Sequence, residues 1–129
     1  MKIAKTLFLA GLLAFGLACG YGNHATTPQG MGTTPNIIQI NPMSTISGTT
    51  GVMLTVSGTN FNGNATINWN GTALATAHNG TQLTTTIPDA DTATAGTAKV
   101  NVTNPGTPGG IYGGGTTAVT SNSMAFTIN

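Results

Sequence analysis

Apolar and polar residues alternate along much of the chain beyond residue 35, with the two-residue period of half-buried β-strands. The strongest alternation lies in Gly51–Gly71 (GVMLTVSGTNFNGNATINWNG), where two alternating runs flank a turn rich in glycine and asparagine. The apolar positions of these two runs are Val52, Leu54, Val56, Ala65, Ile67 and Trp69. Because alternate side chains of a strand point to the same face, we expect these residues to share a core.

Shorter runs with the same alternation predict further strands on both sides of this segment. We expect these strands at Ile37–Ile40, Leu83–Ile87, Ala98–Val102 and Met124–Ile128, with a weaker one at Thr72–Ala77. The segment Asp89–Gly96 predicts a helical turn with Asp91 as its N-cap. About seven short strands separated by turn residues predict an all-β sandwich. Its predicted core comprises Val52, Leu54, Val56, Phe61, Ile67, Trp69, Leu83, Ile87, Val100, Val102, Phe126 and Ile128.

Residues 1–20 have the pattern of an export signal. Lys2 and Lys5 form a positive segment before the apolar run Leu7–Leu17, which is too short to span a bilayer. We therefore expect these residues to direct export and to take no part in the fold.

Cys19 is the only cysteine of the chain, and it follows the apolar run directly after Ala18. This segment resembles a bacterial lipoprotein signal, in which the cysteine is acylated and becomes the mature N-terminus. The resemblance implies a membrane partner through a lipid anchor, at the outer membrane or cell surface. The alternative is an ordinary signal peptidase site, since Gly16 and Ala18 form a small-x-small pattern, and it implies a secreted or periplasmic protein.

Residues 21–35 are predicted to form a flexible tether, because they are rich in glycine, threonine, asparagine and proline and lack apolar periodicity. A single folded domain is expected over residues 36–129. His24 lies in the tether without nearby metal-ligating residues, so we expect it to be solvated.

Charged residues make up only 4% of the chain, whereas they make up about a quarter of an average globular protein. Beyond Lys2 and Lys5, the sole basic residue is Lys99. A protein that binds nucleic acid needs a basic patch to neutralise phosphates, so we expect no nucleic-acid partner.

Few residues beyond Cys19 could perform acid–base or nucleophilic chemistry. Apart from hydroxyl groups they are His24, His78, Asp89, Asp91 and Lys99. No spacing among them indicates a nucleophile beside a base, so we expect a non-catalytic protein without a cofactor. Asp89 and Asp91 are weak candidates for a Ca²⁺ site. Turn formation is the favoured interpretation, because no further carboxylate exists to complete that site.

Six short segments occur in the order found in a known family of immunoglobulin-like domains. They are Ile37–Pro42, Leu54–Phe61 with its Gly-Thr-Asn-Phe block, Trp69–Thr72, Leu83–Pro88, Val100–Pro105 with its Val-x-Asn-Pro block, and Phe126–Ile128. On these residues the chain resembles the IPT/TIG family from about Pro35 to Asn129. The resemblance implies an immunoglobulin-like β-sandwich of the early set, without a disulfide.

The segment Gly106–Asn122 departs from that family, which crosses here in a short turn. Ile111 and Tyr112 lie in its middle with glycine on both sides, so we expect an exposed aromatic contact loop. A tolerated insertion without function is the alternative. Trp69 is the other aromatic residue that could stack on a sugar ring, but its parity with Ile67 favours a place in the core.

These features together predict a non-catalytic cell-envelope lipoprotein that displays one immunoglobulin-like domain. Its expected role is adhesion, contact with a glycan, or interaction with another envelope protein. One alternative is a self-assembling structural subunit that pairs through its edge strands, since the charges that usually deter such pairing are scarce. Another is an accessory module of an extracellular carbohydrate-active complex.

Overall fold

The computed structural model of the chain describes residues 30–129, which form an all-β sandwich. In chain order the strands are β1 (Gly30–Met31), β2 (Asn36–Asn41), β3 (Ser44–Thr45), β4 (Met53–Thr59), β5 (Thr66–Trp69), β6 (Thr72–Ala73), β7 (Ala77–Asn79), β8 (Gln82–Thr86), β9 (Gly96–Asn104), β10 (Thr116–Thr117), β11 (Val119–Thr120) and β12 (Met124–Ile128), with one helical turn, α1 (Asp89–Thr92). The predicted export signal, Cys19 and His24 lie outside the described residues.

Two stacked sheets form the sandwich. The four-stranded sheet has the order β2-β4-β8-β7, and all its strand pairs are antiparallel. The six-stranded sheet has the order β3-β12-β9-β5-β6, and β11 also pairs with β9. A separate parallel pair joins β1 to β10. The all-β sandwich predicted from the alternation is therefore confirmed. The structure also contains strands of two or three residues, which are too short to show an alternating pattern in the sequence.

The core lies between the two sheets and contains all the predicted core residues except Phe61. The alternation that predicted it is visible strand by strand, since buried and outward residues alternate along β4 and β5. Trp69 is only 3% exposed, and its ring meets that of Phe126 edge-on at a centroid distance of 5.1 Å. The core also contains Ala65, as the alternation predicted, and three residues that the prediction left out: Ile37, Ile40 and Ala98.

Phe61 is a correction to the predicted core, because it is only partly buried and packs against the core from outside. It follows β4 after Asn60, whose φ of 62° turns the chain sharply. A Cβ atom added to Gly58 would lie 2.6 Å from Phe61 Cζ and would overlap the carbonyl oxygen of Asn36. The Phe61 ring thus covers a glycine at the junction of β4 and β2.

Asn104 is a buried polar residue, 2% exposed, at the carboxyl end of β9. Its Nδ2 donates to the carbonyl oxygens of Thr33 and Asn60, each at 2.7 Å. Its Oδ1 accepts from the Asn62 N–H at 3.1 Å. The amide therefore joins β9 to the turn after β4 and to the segment before β2, and burial of its polar atoms is fully compensated.

The helical turn occurs where the sequence predicted one, but Asp91 is not its N-cap. Pro88 precedes the helix without a side-chain cap, and the Asp91 N–H bonds to the Pro88 carbonyl oxygen at 2.9 Å. Asp89 accepts the Gly51 N–H at 2.9 Å through Oδ1. Thr92 is buried and donates from Oγ1 to the Thr49 carbonyl oxygen at 2.7 Å, which fixes α1 against the loop before β4.

Candidate functional site

The segment Gly106–Asn122 contains a β-hairpin that continues the ladder between β9 and β11. Thr103 pairs with Thr120 and Asn104 with Val119 inside the sandwich. In unbroken register, Thr107 then pairs with Thr116, and Gly110 with Gly113. We call residues 107–116 the tip hairpin. Because the register has no bulge, the tip hairpin extends in the direction of β9, beyond the end of the sandwich.

Hydrogen bonds hold the two arms of the tip hairpin together. The Thr107 and Thr116 backbones exchange two bonds of 3.0 Å, and their side-chain hydroxyls lie 3.1 Å apart. Gly110 and Gly113 exchange two backbone bonds of 2.9 and 3.0 Å directly below the turn. The turn residues are thus presented on a paired backbone rather than on an irregular loop.

At positions 109 and 115 of the arms the facing backbone approaches too closely for any residue but glycine. A Cβ atom on Gly109 would lie 2.6 Å from the Gly114 carbonyl oxygen, and one on Gly115 would lie 2.6 Å from that of Thr107. Gly114 and Gly115 also have φ values of 87° and 83°, a backbone conformation that residues other than glycine rarely adopt. Between Thr107 and Thr116 the non-glycine residues are Pro108, Ile111 and Tyr112.

Ile111 and Tyr112 form the turn at the end of the tip hairpin, and each is 94% exposed. One supplies an aliphatic surface, and the other supplies an aromatic ring with a hydroxyl group that can donate or accept a hydrogen bond. No charged residue occurs between Asn104 and Asn129. The tip is therefore suited to apolar and stacking contacts with a neutral surface.

The start of the described chain lies beside the tip hairpin. In β1, Gly30 is level with Thr116 and Met31 with Thr117, in parallel register, and the Gly30 N–H donates to the Gly115 carbonyl oxygen at 3.2 Å. Strand β10 runs from the tip toward the sandwich, so β1 runs the same way. The N-terminal end of β1 consequently faces the side on which the tip lies.

The outward faces of both sheets carry mainly neutral polar side chains. On the six-stranded sheet, Asn68 Nδ2 donates to Asn101 Oδ1 at 2.9 Å and to Thr103 Oγ1 at 2.8 Å. Open grooves of about 360 and 430 Å³ lie on the two sheets, and neither brings two titratable side chains together. Lys99 borders the larger groove. Its N–H and carbonyl oxygen bond to the Oδ1 and N–H of Asn70, at 2.8 and 2.9 Å.

The other residues considered for chemistry lie apart from the tip. Asp89 and Asp91 are on α1, His78 is exposed on β7, and Trp69 is inside the core. Within residues 30–129, no group of three or more His, Cys, Asp or Glu side chains could hold a metal ion. The structure thus places Ile111 and Tyr112 side by side at the tip. Asp89 and Asp91, the weak candidates for a Ca²⁺ site, have no third acidic neighbour within residues 30–129.

Strand edges are the surfaces on which self-assembly would depend. At the free edge of β2, Asn122 Oδ1 accepts the Ile37 N–H at 2.8 Å, and its Nδ2 donates to the Ile37 carbonyl oxygen at 3.0 Å. The same strand has an irregular register between Ile37 and Gln39. The sequence analysis missed this role of Asn122, because the contact joins residues 85 positions apart and no local pattern indicates it.

Among the described residues, no helix has the length and apolar character needed to cross a bilayer. This finding concerns residues 30–129 and leaves the predicted lipid anchor at Cys19 a prediction.

Comparison with known proteins identifies the sandwich. The family model of the IPT/TIG domain matches residues 35–128, which is most of the chain. No curated protein and no solved structure matches the chain. Domains of this family are typically non-catalytic binding or interaction modules, and no catalytic family is detected. The chain therefore belongs to the IPT/TIG family, and its immunoglobulin-like domain occupies residues 35–128.

Proposed function

We propose that this chain is an exported, lipid-anchored binding module that contacts its partner at the cell envelope through Ile111 and Tyr112. The observation that carries the proposal is the 94% exposure of both side chains at the end of a hydrogen-bonded hairpin. Adhesion to an uncharged surface of the envelope, whether a glycan, another protein or the membrane itself, is the function that such a tip supports.

The tip differs from the other exposed apolar side chains of the domain. Ile38, Met43, Ile46 and Met53 are each between 60% and 71% exposed, and no two of them are neighbours in sequence. Single apolar residues of this kind are ordinary on protein surfaces. Ile111 and Tyr112 are adjacent and project from a paired backbone, so binding costs little additional chain ordering.

The partner contact is tested with the full chain on a glycan array and in a pulldown from native envelopes. Tyr112→Ala removes the ring that would stack on a sugar or fill a partner's pocket, and we expect bound signal to fall at least about tenfold. The matched control is Ile46→Ala, which truncates an exposed side chain in the loop after β3 and should leave binding unchanged. Equal binding by both variants would contradict the proposed contact surface.

The anchor is tested by replacing Cys19 with Ser and fractionating cells. Acyl chains contribute about 0.8 kcal/mol for each buried methylene, so their loss should move the protein from the membrane fraction to the soluble exported fraction. Membrane retention unchanged by Cys19→Ser would count against lipidation and favour an ordinary signal peptidase site.

Self-assembly through edge strands is the second candidate, and one observation favours it. Strand β7 is the outer strand of the four-stranded sheet, and all three of its residues are exposed. At the opposite edge of this sheet, Asn122 occupies both backbone groups of Ile37, so β7 is the more accessible of its two edges. Sedimentation over a hundredfold range of concentration, about 1 to 100 µM, separates the candidates, because a constant monomer mass would exclude self-assembly.

A further inference from the structure

We infer that the surface contacted by the tip hairpin is the lipid bilayer in which the chain itself is anchored. This inference rests on the proposed lipid anchor and names the partner of the proposed contact surface. Ile111 and Tyr112 would lie at the level of the lipid headgroups, and the sandwich would stand on the membrane through this hairpin.

The direction of the chain supports this arrangement. Because β1 is parallel to β10, its N-terminal end at Gly30 faces the side of the tip. A tether that joins the domain at this end is compatible with a membrane on the side that carries Ile111 and Tyr112.

The length of chain between Cys19 and Gly30 is also sufficient for this arrangement. Ten residues lie between Cys19 and Gly30, and the eleven steps from one Cα atom to the next can span at most about 40 Å in an extended chain. Gly30 is level with Thr116, so the turn lies about four residues further along the hairpin, or about 13 Å at the usual rise of a strand. An acylated Cys19 can thus lie in the bilayer while the tip touches its surface.

The chemistry of the tip fits the headgroup region of a bilayer. Tyrosine is enriched at membrane interfaces because its ring is apolar and its hydroxyl group reaches water or headgroups. Gly110 and Gly113 bond to each other below the turn, so their backbone groups need no solvent partner there. The glycine arms make the hairpin narrow, and no charge occurs near the tip. Binding should consequently not require anionic lipids.

Ile46 provides a control at the opposite end of the sandwich. It follows β3, in which Thr45 is level with Ile128, and Ile128 pairs with Gly96 at the start of β9. The tip hairpin extends from the other end of β9, at Asn104. Ile46 is 71% exposed, so a substitution there is readily accommodated.

The test compares two tryptophan variants of the lipidated full chain, Tyr112→Trp and Ile46→Trp, in phosphatidylcholine vesicles with and without brominated acyl chains. Trp69 is buried in both and supplies a constant background. We expect bromolipid to quench the added emission at position 112 about twofold and to leave that at position 46 unchanged, with the same result when anionic lipid is included. Aqueous iodide should quench position 46 more strongly than position 112.

Equal quenching of the two positions by iodide, without quenching by bromolipid, would overturn the inference. If Tyr112→Ala nevertheless lost capture of a glycan or protein, the proposed contact surface would stand and only the bilayer as its partner would be wrong. The mass of the N-terminal peptide is measured in parallel. An unacylated Cys19 would overturn the anchor and, with it, this inference.

Discussion

Gly58 leaves no space for a side chain where β2 and β4 meet. A Cβ atom at this position would overlap the Asn36 carbonyl oxygen and press on the ring of Phe61. Gly58 and Phe61, the first and last residues of the Gly-Thr-Asn-Phe block, therefore depend on each other. The Phe61 ring occupies the volume that a side chain at position 58 would need. This contact gives the motif a packing role rather than a binding role.

We predict that Gly58→Ala lowers the free energy of unfolding by at least about 2 kcal/mol, since the backbone of β2 must move to admit the methyl group. Urea unfolding followed by the fluorescence of Trp69 measures the change. The matched control is Gly63→Ala, because an added Cβ there meets nothing within 4 Å. We expect that variant to stay within about 0.5 kcal/mol of the original chain. Equal stability of the two variants would contradict the packing argument.

At the scale of elements, the side chain of Asn122 behaves as one more paired residue at the edge of β2. It satisfies both backbone groups of Ile37 and joins the four-stranded sheet to the segment between β11 and β12. An edge whose N–H and carbonyl groups are occupied offers less to a second chain. Asn122 thus stabilises the sandwich and also discourages pairing at this edge.

Asn122→Ala should lower the free energy of unfolding by about 1–2 kcal/mol, because two hydrogen bonds to a buried residue are lost. It should also make the apparent mass rise with concentration in sedimentation, since the edge at Ile37 becomes available. Ser123→Ala, at the next and exposed position, serves as the control and should change neither quantity. A variant that is destabilised yet monomeric throughout would show that the edge is protected by other means.

Local patterns predicted the parts of the fold that depend on local chemistry. Alternation located β4, β5, β8, β9 and β12 and their buried faces, because the two-residue period is imposed by the backbone itself. It did not predict the tip hairpin, where glycines replace the alternating side chains, or the partial exposure of Phe61. The contacts of Asn104 and Asn122 depend on residues distant in sequence, and a propensity for capping did not place Asp91 correctly.

For the candidate site, the sequence identified the exposed residues but did not predict how the backbone presents them. Glycine on both sides of Ile111 and Tyr112 indicated that their own segment could not bury them. The unbroken ladder that carries them, and the neighbouring parallel strand β1, required the structure. The direction in which the tip points was therefore not predictable from residue types.

At the scale of the whole molecule, Asp89, Asp91 and Lys99 are the only Asp, Glu, Lys or Arg residues within residues 30–129. The stability of the domain consequently rests on apolar burial and on neutral hydrogen bonds such as those of Asn104. Because so few charges are present, their screening by salt should have little effect on the free energy of unfolding.

We predict that raising the ionic strength from about 0.01 M to 0.15 M, which shortens the Debye length from about 30 Å to 8 Å, changes the free energy of unfolding by less than about 0.5 kcal/mol. Urea unfolding at each salt concentration measures this. A shift of several kcal/mol would show that electrostatic interactions contribute more than the described side chains suggest.

The position of Lys99 bears on how long such a domain survives exposure to a protease. Trypsin cuts after lysine and arginine, and Lys99 is its one target within residues 30–129. That target lies on β9, between β12 and β5, and Asn70 holds both its N–H and its carbonyl oxygen. Cleavage needs an extended, unpaired segment, so this bond becomes available only when the central strand of the sheet is released. Tryptic cleavage at Lys99 should therefore be no faster than unfolding of the whole sandwich.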